Sequence, residues 1–557
     1  MMRTNSRAAC LGLALMSMVL TNCTTHSLPI HGPSSYLAKG ERPANAPPGP
    51  LVGLALSGGG NRSALFASYV IELLGVLPVS PQTGTQPVSF LSKLGYISSV
   101  SGGSFAAAYF GMRNPSASPS DFNAMLSPQG IPKAYASFFS DYHVMMNHDW
   151  FHAALVRSYL STLGSWRSQW LVNGLDEAFL DKATFGQLDK RQSLGRSPYL
   201  IFNTTHYDTG RRFVMTTIAQ PYFCINVEAL LTNVLSSSLP VAKQIGVQKA
   251  QSNDCDMTDP LTPEGFDRID NKNSFQIASA DIPLSYAVVM SAAFPVVVGP
   301  VAYHVEGQER LFHVIDGGIT DNSGVESLAQ LFLNKLKQNE DQHALIVELD
   351  AGMPFNNEGT AIKDASTPLS TLVGDPSRLS DIQEQRATLY RRDLWHLANE
   401  LARCQTSSDN ADMTDCPNPG GEIPSASLLV SRLKILPLRH YDLGVDSLRV
   451  DVDHDPVAHD IPCHREWNTP ETVKSAVRNL RTDFYLKESC DVPLARIAAC
   501  WAVKQNAPKI QAWFARRSGK SAPELDGFND RVDQLCPELK GKWTQFNKTP
   551  TLNSSWE

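Results

Sequence analysis

The stretch LVGLALSGGGNR, residues 51–62, carries the signals that decide the fold of this chain. Its first six residues are apolar, which is typical of a strand that is buried on both faces of a parallel sheet. Three consecutive glycines follow, and their entropic cost needs a reason, such as a positive φ or a close approach of the backbone. From Phe66 to Leu77 the apolar residues recur every three or four positions. The stretch therefore predicts a strand, a glycine turn and a helix.

The same order of elements recurs farther along the chain. Tyr96–Val100 is a second predicted strand, and a Ser-Gly-Gly turn and an apolar helix follow it. Further predicted strands cover residues 199–203, 212–216, 311–315, 344–349 and 428–436, while residues 115–195 and 469–484 are predicted to be mainly helical. Strands that alternate with helices favour an α/β fold with a parallel sheet and helices on both faces.

Three motifs follow predicted strands. The glycine loop of residues 58–60 could cradle a phosphate or form an oxyanion hole, because N–H groups at a helix start point at negative charge. It lacks the last glycine of a dinucleotide fingerprint, and no Walker lysine follows. Residues 99–103, SVSGG, resemble a G-x-S-x-G nucleophile elbow, with Ser99 in place of the first glycine. Asp316, followed by two glycines, places a carboxylate after a strand.

Each motif also has an ordinary explanation when it is taken alone. The glycines could form a plain tight turn, the Ser-Gly pair a common turn, and Asp316 an Asx-turn that ties its own loop. Their roles are nevertheless complementary, because together they supply oxyanion donors, a nucleophile and a base. If all three follow parallel strands, they converge on one edge of the sheet, where α/β active sites gather.

In this order the motifs resemble those of the patatin-like phospholipases over residues 50–350, with a weaker echo to about residue 487. Residues 202–205, 209–213, 291–295 and 321–324 also match the family pattern. The resemblance implies a three-layer α/β fold with a central, mostly parallel sheet, helices on both faces, helical insertions and a C-terminal extension. It implies that Ser101 is the nucleophile and Asp316 the base of a dyad without histidine. It assigns the oxyanion hole to Gly58, Gly59 and Gly60, a phosphate-binding or loop-supporting role to Arg62, and the elbow and dyad loops to Gly103, Gly317 and Gly318.

The implied activity is that of a serine hydrolase that cleaves fatty-acyl esters of lipids through an acyl-enzyme, without metal or cofactor. Its partner is a lipid or phospholipid at a membrane surface, and phospholipid, lysophospholipid and neutral ester all stay open as substrates. One alternative is an α/β-hydrolase in which Ser101 works with a late histidine: His440, His454 or His464. The other alternative is a surface lipoprotein without catalytic activity.

The N-terminus resembles a bacterial export signal. Arg3 and Arg7 precede a thirteen-residue apolar run that is too short to span a bilayer. The run ends in a lipobox-like sequence at Cys23, with an unusual Asn22 before the cysteine. The sequence therefore predicts a signal over residues 1–23, lipidation of Cys23 and anchoring in the cell envelope, at the outer membrane. A soluble periplasmic or secreted product is the alternative.

Composition and cysteine content complete the expectations. The chain has 557 residues, of which 18% are charged and 42% hydrophobic, so it is neither disordered nor collagen-like. A net charge of -7 without a dense basic run argues against nucleic-acid binding, and it assigns membrane attachment to lipid or apolar contact. Eight cysteines follow Cys23 and allow four disulfides in an exported protein, among which Cys224–Cys255 and Cys404–Cys416 are neighbours in sequence.

The predicted division is a tether over 24–50, a catalytic domain over 51–487 with its core at 51–350 and an insertion at about 351–425, and a cysteine-containing extension over 488–557.

Overall fold

A computed structural model gives the fold of this chain. It describes residues 25–28, 49–81, 84–150, 167–227, 230, 234, 262–265, 279–294, 298–305, 311–352, 395, 425–443, 470–478, 480 and 491–536. The predicted signal, the predicted lipidation site Cys23 and most of the predicted insertion lie outside these residues. So do His454, His464 and the cysteines at positions 255, 404 and 416.

In the described part of the chain, nine strands form the central sheet, and two short strands form a separate antiparallel pair. In chain order the strands are β1 (Thr25–Leu28), β2 (Leu51–Leu56), β3 (Pro78–Val79), β4 (Val88–Ser89), β5 (Tyr96–Val100), β6 (Tyr199–His206), β7 (Arg211–Thr216), β8 (Val301–Val305), β9 (Leu311–Asp316), β10 (Ala344–Asp350) and β11 (Leu433–Arg439). The order across the sheet is β1-β8-β9-β6-β5-β2-β10-β11, and β7 pairs with β6. The block β6-β5-β2-β10-β11 is parallel throughout, whereas β9 runs antiparallel to both β6 and β8.

Helices cover both faces of the sheet. They are α1 (Gly60–Gly75), α2 (Gly102–Arg113), α3 (Lys133–Met146), α4 (Arg167–Leu175), α5 (Phe185–Ser193), α6 (Leu284–Ser291), α7 (Gly318–Asp321), α8 (Val325–Gln338), α9 (Ser425–Ser431), α10 (Pro470–Arg478), α11 (Asp491–Ser518) and α12 (Asp526–Leu535). Successive side chains of β2 and β10 alternate between two buried clusters, as strand geometry requires. One cluster contains α1, α2, α3, α6 and α11, and the other contains α8 and α9. This is the mostly parallel α/β architecture with two helical layers that the sequence predicted.

The antiparallel direction of β9 corrects the expectation that all three motifs follow parallel strands. On β6, Asn203 pairs with Val100 of β5, and the next residue, Thr204, pairs with Asp316 of β9. Both residues also pair with β7 on the opposite side of β6. Strands β5 and β9 therefore lie along the same edge of β6 and approach each other end to end. Their last residues meet for this reason, although the strands run in opposite directions.

Two local predictions differ from the structure. Residues 428–431 belong to α9, and the strand begins only at Leu433. A short apolar run fits a buried helix as well as a strand, so periodicity alone could not separate them. Within the predicted tether, Thr25–Leu28 forms a strand that pairs with Val301–Val305 through backbone hydrogen bonds, which composition does not reveal.

The C-terminal helices are part of the main core rather than a separate one. Helix α11 packs against α1, and its Trp501 and Trp513 are buried. A disulfide joins Cys500 of this helix to Cys536, just after α12. Cys224 is also disulfide-bonded. Among the described residues, no helix has both the length and the apolar character needed to cross a membrane.

Candidate active site

Ser101 lies at a sharp turn between β5 and α2. Its φ of 48° and ψ of −121° are unusual for a residue with a side chain and cost about 1–3 kcal/mol. The two residues after it must be glycine, because a Cβ on Gly102 would lie 2.0 Å from the carbonyl oxygen of Gly60. A Cβ on Gly103 would lie 2.7 Å from that of Leu56. The turn is thus a strained elbow pressed against the glycine loop.

Ser99 stands where the motif usually has glycine, and the elbow accommodates it. Its side chain is fully buried, and its hydroxyl lies 3.3 Å from the carbonyl oxygen of Ile201. It also lies 3.1 Å from the hydroxyl of Ser104. Burial of a hydroxyl costs little free energy when polar partners lie within hydrogen-bond distance, so serine at position 99 is compatible with the elbow geometry.

Asp316 is the last residue of β9 and is 4% exposed. Its Oδ1 accepts a hydrogen bond from the N–H group of Gly318 at 2.8 Å, which is the Asx-turn contact that the sequence also allowed. Its Oδ2 has no fully formed hydrogen bond among the described residues. Gly317 fits because its Cα faces the backbone of β6, where a Cβ would lie 2.3 Å from the carbonyl oxygen of Asn203.

The environment of Asp316 suits a base. Burial raises the pKa of its carboxyl from 3.8 to about 6, and the contacts with Gly318 and with the hydroxyl of Ser101 lower it in part. The Ser101 hydroxyl lies close enough to lower the pKa of Asp316, but it forms no complete hydrogen bond with Asp316 Oδ2. Such contacts are often loose before substrate binds. Asp316 Oδ2 is therefore the oxygen free to take the proton of Ser101.

Ser291, at the end of α6, ties the elbow to the sheet. Its hydroxyl accepts hydrogen bonds from the N–H group of Ser101 at 3.0 Å and from the hydroxyl of Ser104 at 2.8 Å. It donates its own proton to the carbonyl oxygen of Asn203 at 2.6 Å. All three contacts are buried or partly buried, so Ser291 fixes the orientation of the strained Ser101 backbone.

The same end of α6 also holds the dyad loop. The carbonyl oxygen of Ser291 accepts from the N–H group of Gly317 at 3.2 Å, and that of Ala293 accepts from Asp316 at 3.0 Å. Ser291 therefore contacts both loops and Ala293 contacts the Asp316 loop, and together they set the separation of Ser101 and Asp316. The sequence marked residues 291–295 only as a family match, because their role depends on contacts between distant segments.

The glycine loop contributes fewer donors than the sequence predicted. The N–H group of Gly58 donates to the carbonyl oxygen of Asn322 at 2.9 Å, so it is engaged before any ligand arrives. Gly59 and Gly60 have φ values of 132° and 57°, and α1 begins at Gly60. N–H groups in the first turn of a helix have no partner within it. The oxyanion donors therefore narrow to Gly59, Gly60 and the start of α1.

Arg62 supports the glycine loop from the protein interior. It is 1% exposed, and its guanidinium donates to the carbonyl oxygens of Ala351 at 2.8 Å and Leu480 at 2.7 Å. A buried side chain whose donors point at backbone cannot meet a phosphate at the surface. Of the two roles that the sequence left open, the structure favours support of the loop.

The described histidines give no Ser–His–acid site at Ser101. His440 follows β11, three strand spacings or about 14 Å from β5, and its ring packs beside Phe66. A second set has the connectivity of a triad, because His143 bridges the hydroxyl of Ser68 at 2.9 Å and the carboxylate of Glu72 at 2.8 Å. Ser68 is fully buried and donates to the carbonyl oxygen of Leu65 at 2.7 Å, so no substrate can reach it.

Within the described part of the chain, no cluster of three or more His, Cys, Asp or Glu side chains could hold a metal. The arrangement at Ser101 fits the requirements of acyl transfer: a serine on an elbow, a buried carboxylate with a raised pKa, and backbone donors at a helix start. These features define the chain as a serine hydrolase-like α/β protein with a carboxylate in the position of the base.

Comparison with protein families identifies the class more closely. Residues 54–329 match the family model for patatin-like phospholipase, and the chain belongs to this family. No curated protein sequence matches the chain.

Solved structures give weaker similarities. A human GIVD cytosolic phospholipase A2 with methyl γ-linolenyl fluorophosphonate and terbium chloride aligns over 84% of this chain and 60% of its own, with 9% identity and a TM-score of 0.34. A second structure of human GIVD cytosolic phospholipase A2 has 11% identity, equal coverage and the same TM-score. A complex of SpcU and ExoU from the Pseudomonas aeruginosa type III secretion system has 14% identity and a TM-score of 0.14, over 84% of this chain and 91% of that one. The chain thus spans less than two thirds of the human phospholipase.

Replacement of Ser291 by alanine should slow the reaction of Ser101 with a small soluble fluorophosphonate about 10- to 100-fold, because the elbow loses its anchor and small misplacements are costly. The matched control is Ser285→Ala on the same helix. Ser285 is as fully buried as Ser291, and among the described residues its hydroxyl forms no hydrogen bond to the elbow or to the Asp316 loop. The second-order labelling rate, measured beside the unfolding temperature, separates positioning from general destabilisation. Equal rates for both variants would remove the positioning role of Ser291.

The same labelling reaction should depend on a single ionisation near pH 6, with the rate rising as pH increases, because only ionised Asp316 can accept the serine proton. A pH series of labelling rates measures the midpoint. A midpoint that is unchanged in Asp316→Asn would assign the ionisation to another group.

The raised pKa has a matching effect on stability. The native state binds more protons than the unfolded chain between pH 4 and 6, so the Asp316 contribution destabilises the fold as pH rises through that window. Asp316→Asn should therefore raise the free energy of unfolding at pH 8 by up to about 3 kcal/mol and change it little below pH 4. Denaturant unfolding at the two pH values tests the same titration independently of labelling.

Proposed function

We propose that this protein is a lipid acyl hydrolase that uses Ser101 and Asp316 as a catalytic dyad. The observation that carries the proposal is the end-to-end meeting of β5 and β9, which brings a serine on a strained elbow to a buried carboxylate with a pKa of about 6. Membership of the patatin-like phospholipase family supports the substrate class.

The first half-reaction forms an acyl-enzyme. Ser101 Oγ attacks the ester carbonyl carbon while its proton passes to Asp316 Oδ2, which needs no intermediary histidine. The carbonyl oxygen becomes an oxyanion beside the N–H groups of Gly59 and Gly60. When the tetrahedral intermediate collapses, the bond to the alkoxy group breaks and the leaving alcohol takes the proton from Asp316.

The second half-reaction restores the enzyme. Water attacks the acyl carbon and gives a proton to Asp316, the oxyanion forms again at the same donors, and the Ser101 ester bond breaks with return of the proton to the serine. A single oxyanion donor contributes about 10²–10³ in rate, so the glycine loop is as important as the dyad. Arg62 acts through this loop, because it anchors the backbone next to it.

Release of fatty acid from a panel of phospholipids, lysophospholipids and neutral esters tests the activity and its substrate. Ser101→Ala and Asp316→Ala should each lower kcat by at least about 10³, because either change removes proton transfer or the nucleophile itself. The two losses should not add in the double variant, since the residues act as one unit. Equal slow release by wild type and Ser101→Ala would contradict an enzymatic function and leave the lipoprotein alternative.

The triad alternative is tested with the same assay. Alanine variants of His440, His454 and His464 should keep activity within a few-fold of wild type. Loss of several orders of magnitude in one of them would replace the dyad by a triad.

We also propose that the protein is exported and carries a lipid at Cys23. The disulfide between Cys500 and Cys536 and the disulfide-bonded state of Cys224 support an oxidising compartment. Mass spectrometry of the mature N-terminus should find Cys23 as the first residue with the mass of a lipid modification. An N-terminus at another residue without added mass would assign the protein to the soluble periplasmic or secreted alternative.

A further inference from the structure

Exposed apolar side chains concentrate at one end of the sheet. Six large hydrophobic residues are exposed in the described part of the chain, and single exposed residues need no explanation. Three of the six, however, lie just after β6, at the start of β9 and in the loop that follows Asp316. These three are Tyr207, Leu311 and Ile319, with exposed fractions of 58%, 38% and 46%, and together they are called the apolar stripe.

Strand register places two members of the stripe, Leu311 and Tyr207, on one face of the sheet. Phe312 and Val314 of β9 point into the core cluster that contains α6, so Leu311 and His313 point to the opposite face. The N–H group of Tyr207 donates to the carbonyl oxygen of His313 at 2.8 Å, which extends the pairing of β6 and β9 to this residue.

Ile319 is next to Thr320, a residue that contacts β6 on the face of Tyr207. The hydroxyl of Thr320 lies 3.0 Å from that of Thr205, and Thr205 and Tyr207 point to the same face because they are two residues apart. Ile319 also lies three residues after Asp316. The stripe therefore includes one residue of the loop that carries the proposed base, while the Asp316 side chain points to the other face of β9, as those of Phe312 and Val314 do.

The chain enters the fold beside this region. Thr25 of β1 pairs with Ala302 of β8, and Ala302 pairs with His313 of β9. Cys23 precedes Thr25 by two residues, which span at most about 7 Å. An anchor at Cys23 would hold this end of the sheet close to a bilayer.

We propose that the apolar stripe is the surface by which the protein contacts a lipid bilayer, so that the substrate passes from the bilayer to Ser101 over the Asp316 loop. This inference rests on the proposed lipid hydrolase function and names its interfacial surface. The charge pattern favours apolar insertion over attraction to anionic lipid, because Asp208 lies beside the stripe, 3.5 Å from His313 Nδ1, and the chain as a whole is acidic. Exposed aromatic and aliphatic side chains next to a lipolytic site are suited to the boundary between headgroups and acyl chains.

The test measures binding of the full chain to vesicles of diether phosphatidylcholine, which cannot be hydrolysed at an ester bond. A Cys23→Ser background removes any contribution from an attached lipid. The double variant Tyr207→Ser/Leu311→Ser should weaken vesicle binding at least tenfold. The control double variant Val144→Ser/Leu194→Ser removes two equally exposed apolar residues elsewhere, 64% and 51% exposed, and should bind as the parent does.

Hydrolysis of a soluble short-chain ester serves as the second measurement. It should differ less than twofold between the two double variants, because neither changes the dyad or the glycine loop. Equal vesicle binding by both double variants, or absence of binding by the Cys23→Ser parent, would overturn the proposed surface. A different result would contradict the proposed hydrolase function: neither the parent nor any variant would then hydrolyse the soluble ester, whether or not it binds vesicles.

Discussion

The end-to-end approach of β5 and β9 along one edge of β6 is the constraint on which the site depends. Val100 and Asp316 occupy neighbouring positions opposite Asn203 and Thr204. A strand pair in this arrangement cannot continue, so each chain must turn away at the meeting point. The turns are the elbow at Ser101 and the loop at Asp316, and the geometry of the sheet thus creates the encounter of the two side chains.

Close backbone packing makes this encounter rigid. Gly102 contacts the glycine loop, Gly103 contacts the end of β2, and Gly317 contacts β6, in each case at distances that no Cβ permits. The end of α6 then holds both turns through Ser291 and Ala293. The strained φ of Ser101 persists because these neighbours over-determine it.

Burial gives the site its electrostatic character. Asp316 is removed from water, which raises its pKa, and only one of its oxygens has a formed hydrogen bond. Arg62 is buried as well, and its guanidinium donates to the backbone carbonyl oxygens of Ala351 and Leu480. Arg62 therefore stabilises the glycine loop, whereas the Asp316 carboxylate keeps one oxygen without a formed hydrogen bond.

Much of the fold could be predicted from the sequence. The boundaries of β2 and β5 agreed with the prediction, because apolar runs that end at turn residues indicate buried strands. The boundaries of β6, β7, β9 and β10 differed from the predicted ones by one to three residues at one end. Other features depended on contacts between segments. Helix α9 covers residues that were predicted as a strand, and Thr25–Leu28 forms a strand in the predicted tether. Strand β9 runs antiparallel to β6. None of these three features produces a local sequence pattern.

The sequence by itself determined the residue types and the order of the motifs, because glycines at tight turns, a serine after a strand and an Asp-Gly-Gly turn are local requirements of the backbone. Only the tertiary structure decided which N–H groups stay available as oxyanion donors, that Arg62 supports the loop, and that Ser291 contacts both turns. These properties arise where residues far apart in sequence compete for the same hydrogen bonds and the same space. Such competition exists only in the folded chain.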